Sequence, residues 1–255
     1  MKKALVPFFL IFCILSLGAQ EKFSVPKTAQ EALEGSRRAY KKGFYNLAEY
    51  YADYAIKDSS IAEQAAKLKI GCMEHLMKNS ADSAKFITAA LELHKMDPKD
   101  PAFLKPIVDY YSFPGRSEKL ESFINGEIHD NPTDKDIWAL KGEIQMQKHQ
   151  WDEAISTYQQ TIKLDSSFVE AIYNLGICYS SKALDLKDSL QNDRGKLNKD
   201  NMKRVLAEFE NSKVYLEKAS MMDPKCETVD WRRALYQAYY VLGEKKKARR
   251  VKSLL

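Results

Sequence analysis

The sequence predicts an all-α chain built from about six antiparallel helical hairpins. Three observations carry this. Gly142 and Gly176 stand 34 residues apart, each inside an apolar pattern of helical period. Pro98 and Pro132 repeat the 34-residue spacing, each placed to stop a helix, since proline cannot continue the hydrogen-bond ladder. One period further on, Ser166 departs from proline, but Asp165-Ser166-Ser167 is still turn chemistry. Finally, 45% hydrophobic and 29% charged residues make a globular rather than a disordered chain.

Residues 1–20 read as an export signal. Lys2 and Lys3 precede the apolar stretch ALVPFFLIFCILSLGA, and Gly18-Ala19 offers a small-residue cleavage site. The apolar run is 16 residues long, short of the roughly 20 that span a bilayer. Phe12 before Cys13 does not suit a lipoprotein attachment, which needs a small residue there. Without Lys2 and Lys3, 38 basic residues face 35 acidic ones, too small an excess to argue for nucleic acid. Cys72, Cys178 and Cys226 remain, an odd number for an oxidising compartment. Cys72 and Cys178 fall inside apolar helical pattern, as small buried hydrophobes do. Cys226 lies in a turn, which leaves one disulfide to a partner open.

The first helix is expected over Thr28–Lys42, stopped by Gly43. Its partner follows from Phe44, with Tyr50, Tyr51 and Tyr54 at the spacing of a core face. Ile61–Lys78 and Ala81–Met96 form the next pair, with Gly71 at a close helix contact. The pair over 101–134 is recognised by Gly115, Leu120, Ile124 and Pro132; Pro106 is expected to kink its first helix or shift its start. Over 135–168, Trp138 and Gly142 belong to the first helix, Ala154 and Tyr158 to the second. The pair over 169–226 is longer. Pro132 and Pro224 are 92 residues apart where two periods need 68, so 24 residues are inserted around 182–208. Ser181–Leu190 extends the first helix, Gln191–Asp200 is a polar loop, and the second helix starts near Asn201. Such a hairpin projects past its neighbours. The last pair is Thr228–Leu242 and Glu244–Leu255. Its basic run from Lys245 to Lys252 reads as a solvated face near a helix C-terminus.

Small residues at Gly142 and Ala154, bulky ones at Tyr158 and Tyr179, and the 34-residue period together resemble the tetratricopeptide repeat (TPR). Gln145 departs from the bulky residue expected at its place. The resemblance covers about Thr28 to Leu255, within one domain over 21–255, and implies a right-handed α-solenoid. It implies that the small residues let paired helices approach, and that the first helix of each pair lines a concave face. On that face it places Lys105 and Asp109, then Ala139, Glu143 and Met146, then Tyr173, Asn174, Ile177 and Ser180. A lining of mixed character suits a peptide, which needs both hydrogen bonds and apolar pockets. Tyr173 and Asn174 stand out, one for contact area and one for an amide that matches peptide groups. Some TPR proteins hold an acidic C-terminal tail in a basic and amide clamp. Its places here are Ala139, Glu143 and Asn174; only Asn174 fits, and Glu143 would repel a carboxylate.

Motifs for chemistry are missing from the sequence. His75, His94, His129 and His149 are scattered over different segments. Cys72 and His75 make half a metal site without evident further ligands. No glycine-rich phosphate loop occurs, and QNDRGKLNKDN lacks the order of a calcium loop. The expectation is a non-enzymatic scaffold of the periplasm or cell envelope, without cofactor or metal, holding a protein or peptide. No nucleic acid and no membrane span after cleavage are expected. The alternative is a carbohydrate- or nutrient-capture component of an outer-membrane system, since TPR-like helices also occur in glycan-binding proteins there.

Overall fold

The computed structural model describes residues 25–192 and 194–255. The export signal lies outside the described residues. Twelve helices and no strand occur among those described. The chain divides into two compact units after Pro114.

The first unit holds α1 (Ala29–Lys41), α2 (Tyr45–Ala55), α3 (Ala62–Leu76), α4 (Ser80–His94) and α5 (Pro101–Tyr111). Thr28 caps α1 by accepting the Glu31 amide at 3.1 Å, and Gly43 ends the helix pair's first arm at φ +76°. Alanines dominate the packing: Ala32, Ala39, Ala48, Ala52, Ala55, Ala65 and Ala66 are buried. Such short side chains bring backbones close. The Ser36 hydroxyl spans the gap directly, donating to the Ala48 carbonyl at 2.8 Å, so a buried polar group is satisfied. Pro106 does not shift the start of α5. Asp100 accepts the Ala102 amide at 2.9 Å and Pro101 takes the first helical position, a stronger start signal than an internal proline.

The second unit holds α6 (Ser117–Asp130), α7 (Lys135–Gln147), α8 (Trp151–Leu164), α9 (Val169–Leu190), α10 (Lys199–Met222), α11 (Arg232–Val241) and α12 (Lys245–Lys252). Gly142 faces the ring of Tyr158, where a Cβ would come within 2.7 to 2.9 Å of three ring atoms. Gly176 faces Leu216 in the same way, at 2.8 and 2.9 Å. Tyr158 follows its glycine by 16 residues and Leu216 follows its own by 40, so the 24 inserted residues lie between α9 and α10 contacts of one kind. The insertion lengthens both helices, to 22 and 24 residues. It carries its own apolar seam of Ala183, Val205 and Phe209, with Leu186 and Leu197 packed alongside. Trp151 Nε1 donates to Asp185 at 2.5 Å, and Lys182 joins Asp152 at 2.6 Å to Glu208 at 3.1 Å, tying the extension to α8.

The last helix pair begins later than its sequence suggests. Asp223 accepts the amides of Glu227, Thr228 and Val229 at 2.8, 2.8 and 2.9 Å, and the Trp231 indole donates to the Asp223 carbonyl at 2.7 Å. These bonds fold residues 223–231 into a turn in place of helix, and α11 starts at Arg232 rather than Thr228.

Candidate partner-binding face on α7, α8 and α9

Lys105 and Asp109 sit one turn apart on α5, in the first unit, and form an exposed ion pair with each other. An exposed pair of this kind contributes little to stability.

The other candidates belong to the second unit, and they separate into two groups. Around α8, Asn174 of α9 addresses Tyr158. Asn174 Nδ2 donates to the Tyr158 hydroxyl at 3.2 Å. Burial pushes the phenol pKa up, and the charge of Glu143 pushes it further. Tyr158 is fully buried; its ring lies where Gly142 has no side chain. Glu143 is solvent-exposed, with its carboxyl raised above the ordinary value by partial desolvation. Met146 packs half-buried on the adjoining cluster of Ala154, Ile155, Tyr158 and Leu175. Ala139, on the same helix, is buried.

Tyr173 and Ile177 pack instead on the cluster containing Val229, Trp231 and Leu235. Burial raises the Tyr173 phenol, with Asp230 adding to it. Tyr173 therefore belongs to the apolar cluster that includes Val229, Trp231 and Leu235. Ser180 donates to the Ile177 carbonyl of its own helix at 2.9 Å. The residue that sequence reading did not assign a polar role is Tyr158. Its place in the period marks it as core, and only an amide on the neighbouring helix reveals the hydroxyl's use.

A cleft of about 230 Å³ lies among α6, α7 and α8, lined by Glu121, Ile124, Asn125, Lys141, Ile144 and Gln145. Lys148 joins Glu121 at 2.5 Å, and Lys141 donates to Asn125 at 3.0 Å. The Gln145 Oε1 is buried there without a hydrogen-bond partner among the described residues.

Cys72 and Cys178 are buried thiols pushed up to about 12 by desolvation, far from the range of a nucleophile. Cys226 is free and half-buried. His75 stacks on Tyr45 with ring centroids 4.1 Å apart. No group of three or more His, Cys, Asp or Glu among the described residues is placed to hold a metal. In α12, Ala248 and Val251 face inward while Lys247 bridges Glu217 and Glu244 at 3.2 and 2.8 Å.

A family model described as TPR repeat matches residues 142–182. The crystal structure of a tetratricopeptide repeat protein from Parabacteroides merdae is similar, with a TM-score of 0.55 at 12% identity, over 89% of this chain and 78% of that one. The human IFIT1 dimer with m7Gppp-AAAA is similar as well, with a TM-score of 0.54 at 13% identity, over 88% of this chain and 49% of the other. This chain thus spans about half the length of IFIT1. No curated protein sequence matches it. The fold is a TPR-type helical solenoid. In TPR terms, the matched stretch 142–182 contains α8 entire, with parts of α7 and α9. It holds Glu143, Met146, Tyr158 and Asn174 together. No helix of the described residues is long and apolar enough to cross a membrane.

Proposed function

We propose that this protein is a non-enzymatic scaffold of the cell envelope that holds a peptide segment of a protein partner along α7 and α9. The observation that carries the reading is the Asn174 amide on the Tyr158 hydroxyl, with Met146 packed on the same cluster and Glu143 next in sequence to Gly142, which faces the Tyr158 ring. It offers charge, an amide and an apolar contact on neighbouring helices, as peptide recognition requires. The TPR fold supports a binding role, and the envelope location is supported by the character of residues 1–20.

Site-specific photocrosslinking in cells tests the face. A photoreactive residue at Met146 should give protein adducts that the same residue at Lys246, on the exposed side of α12, does not. Equal labelling at both positions, or none at Met146, would remove the face from consideration. Intact-mass measurement of the native protein tests the location, with a chain starting near Gln20 or Glu21 expected. A retained Met1 in the membrane pellet would establish an anchor instead.

A further inference from the structure

We infer that the outer face of α12 docks the protein on an anionic lipid bilayer surface. Its charge chemistry is independent of the peptide-binding face on α7 and α9.

α12 has the sequence KKKARRVK, with six cations and no acid. Ala248 and Val251 are its buried residues. At about 100° per residue, Lys252, Lys245, Arg249, Lys246 and Arg250 follow one another round an arc of roughly 160° on the side away from them. All five are exposed. Lys247 is paired, with Glu217 and Glu244. The other five make no ion pair among the described residues.

The arrangement works against the helix that carries it. Arg249, Arg250 and Lys252 sit in the last turn, where cations complement the macrodipole, but Lys245 and Lys246 sit in the first turn and oppose it. Lys245 with Arg249, and Lys246 with Arg250, are like charges four residues apart, which destabilise a helix. Local helix stability therefore explains neither the first-turn lysines nor the density of charge. The rest of the chain does not share that charge. Leaving out Lys2, Lys3 and α12, 32 basic residues face 35 acidic ones. Salt screens charges beyond about 8–10 Å, so a surface that α12 touches meets its cations and not the acidic remainder.

The composition of the face selects the partner. It presents long flexible cations, without the apolar centre that a protein interface desolvates. Just before α12, Tyr240 is 70% exposed, at the turn where its carbonyl accepts the Gly243 amide at 3.2 Å. Tyrosine favours the headgroup zone of a bilayer, the depth at which a cationic face meets anionic headgroups.

Cosedimentation of the native protein with vesicles tests this, comparing phosphatidylcholine alone with phosphatidylcholine containing about a third phosphatidylglycerol. The readout is the gain of anionic over neutral vesicles, which cancels the contribution of the apolar stretch in residues 1–20. Each Lys or Arg at an anionic surface strengthens binding about fivefold, so a gain of about a hundredfold or more is expected. It should vanish in about 0.5 M salt. Lys246→Glu with Arg249→Glu should abolish the gain while keeping or raising the melting midpoint, because both like-charge pairs become opposite ones. If that variant melts lower, the neutral Lys246→Gln with Arg249→Gln replaces it and should cut the gain about 25-fold. Lys95→Glu with Lys99→Glu makes the same change of net charge at exposed positions of the first unit. It should leave the gain within about twofold. No gain over neutral vesicles, a gain that survives the α12 substitutions, or an equal loss in the first-unit control overturns the inference. So does tighter binding to polyglutamate or duplex DNA than to the anionic vesicles at equal anion concentration, which would reassign the face to an acidic protein or a nucleic acid.

Discussion

Two helix pairs, α1 with α2 and α7 with α8, use the same device and differ in how tightly it closes. In each, a glycine faces a tyrosine 16 residues on, Gly35 with Tyr51 and Gly142 with Tyr158. A Cβ at Gly35 would stand 3.1 to 3.3 Å from its ring, but one at Gly142 only 2.7 to 2.9 Å. The reason lies in what surrounds each ring. Tyr158 is fully enclosed and its hydroxyl is held by Asn174 from a third helix. Tyr51 retains 7% exposure, and the α1 to α2 distance is set beside it by the Ser36 to Ala48 hydrogen bond and a bed of alanines. One sequence spacing can thus serve a rigid contact in one hairpin and a yielding one in another.

The two units can be followed separately. Trp138, Trp151 and Trp231 are the chain's three tryptophans and all lie in the second unit, so their fluorescence reports that unit while far-ultraviolet circular dichroism reports both. The largest effect is expected from Ala154→Leu. Ala154 has no exposure, and three added carbons overpack the α7 to α8 contact at a cost of about 3 kcal/mol. The fluorescence transition should move to lower denaturant; a neutral result would break the repeat register. Gly142→Ala comes next. Pressing one methyl against an enclosed ring costs about 2–3 kcal/mol, and alanine returns about 1 kcal/mol of helix propensity. A net loss of about 1–2 kcal/mol is expected, again in the fluorescence transition.

A second pair of sites sharpens the contrast. Asp97-Pro98-Lys99 and Asp223-Pro224-Lys225 are the same tripeptide. Asp97 receives one amide, from Lys99 at 3.1 Å, whereas Asp223 receives three. Those amides hold the Asp223 carboxyl below its ordinary value. A carboxyl lowered by folding stabilises above its unfolded pKa, about 4 for aspartate, and that contribution fades as pH falls through the folded value. Asp223→Asn mimics the protonated acid. It should lower the fluorescence melting midpoint by a few degrees at neutral pH, and the gap to the wild-type chain should close on acidification below about pH 4. Asp97→Asn, in the first unit, should do less in the circular dichroism transition, which reports both units. Equal effects at both sites would mean that the amide count does not govern these turns.

Much of the fold was legible because its signals are steric and local. Gly142, Gly176 and the prolines mark where helices touch and stop, and the 24 surplus residues place the long α9 and α10. The start of α11 was not legible. Thr228 to Trp231 has the look of a helix entry, but its first amides bond the Asp223 carboxylate within a turn. The candidate face was legible in part. Asn174 was singled out for its amide, but its partner Tyr158 occupies a core position. Periodicity puts Tyr173 on the same helix as Asn174 without telling which neighbour each meets. Asn174 meets α8, while Tyr173 belongs to the apolar cluster that includes Val229, Trp231 and Leu235.

The smallest effect is expected where the device closes loosely. At Gly35 a methyl would stand 3.1 to 3.3 Å from Cδ2, Cε2 and Cγ of Tyr51, a gap that a few tenths of an ångström of ring movement relieves. The Tyr50 ring beside it meets it edge-on at 5.7 Å. Against the small strain stands the helix propensity of alanine over glycine, about 1 kcal/mol, part of it gained by restricting the unfolded chain. The two terms should cancel to within about 0.5 kcal/mol. Gly35→Ala should therefore leave both the circular dichroism and the fluorescence transitions where they are, while Gly142→Ala shifts the second. A loss at Gly35 as large as the loss at Gly142 would show that Tyr51 is held as firmly as Tyr158, and that the difference in approach distance has no energetic meaning.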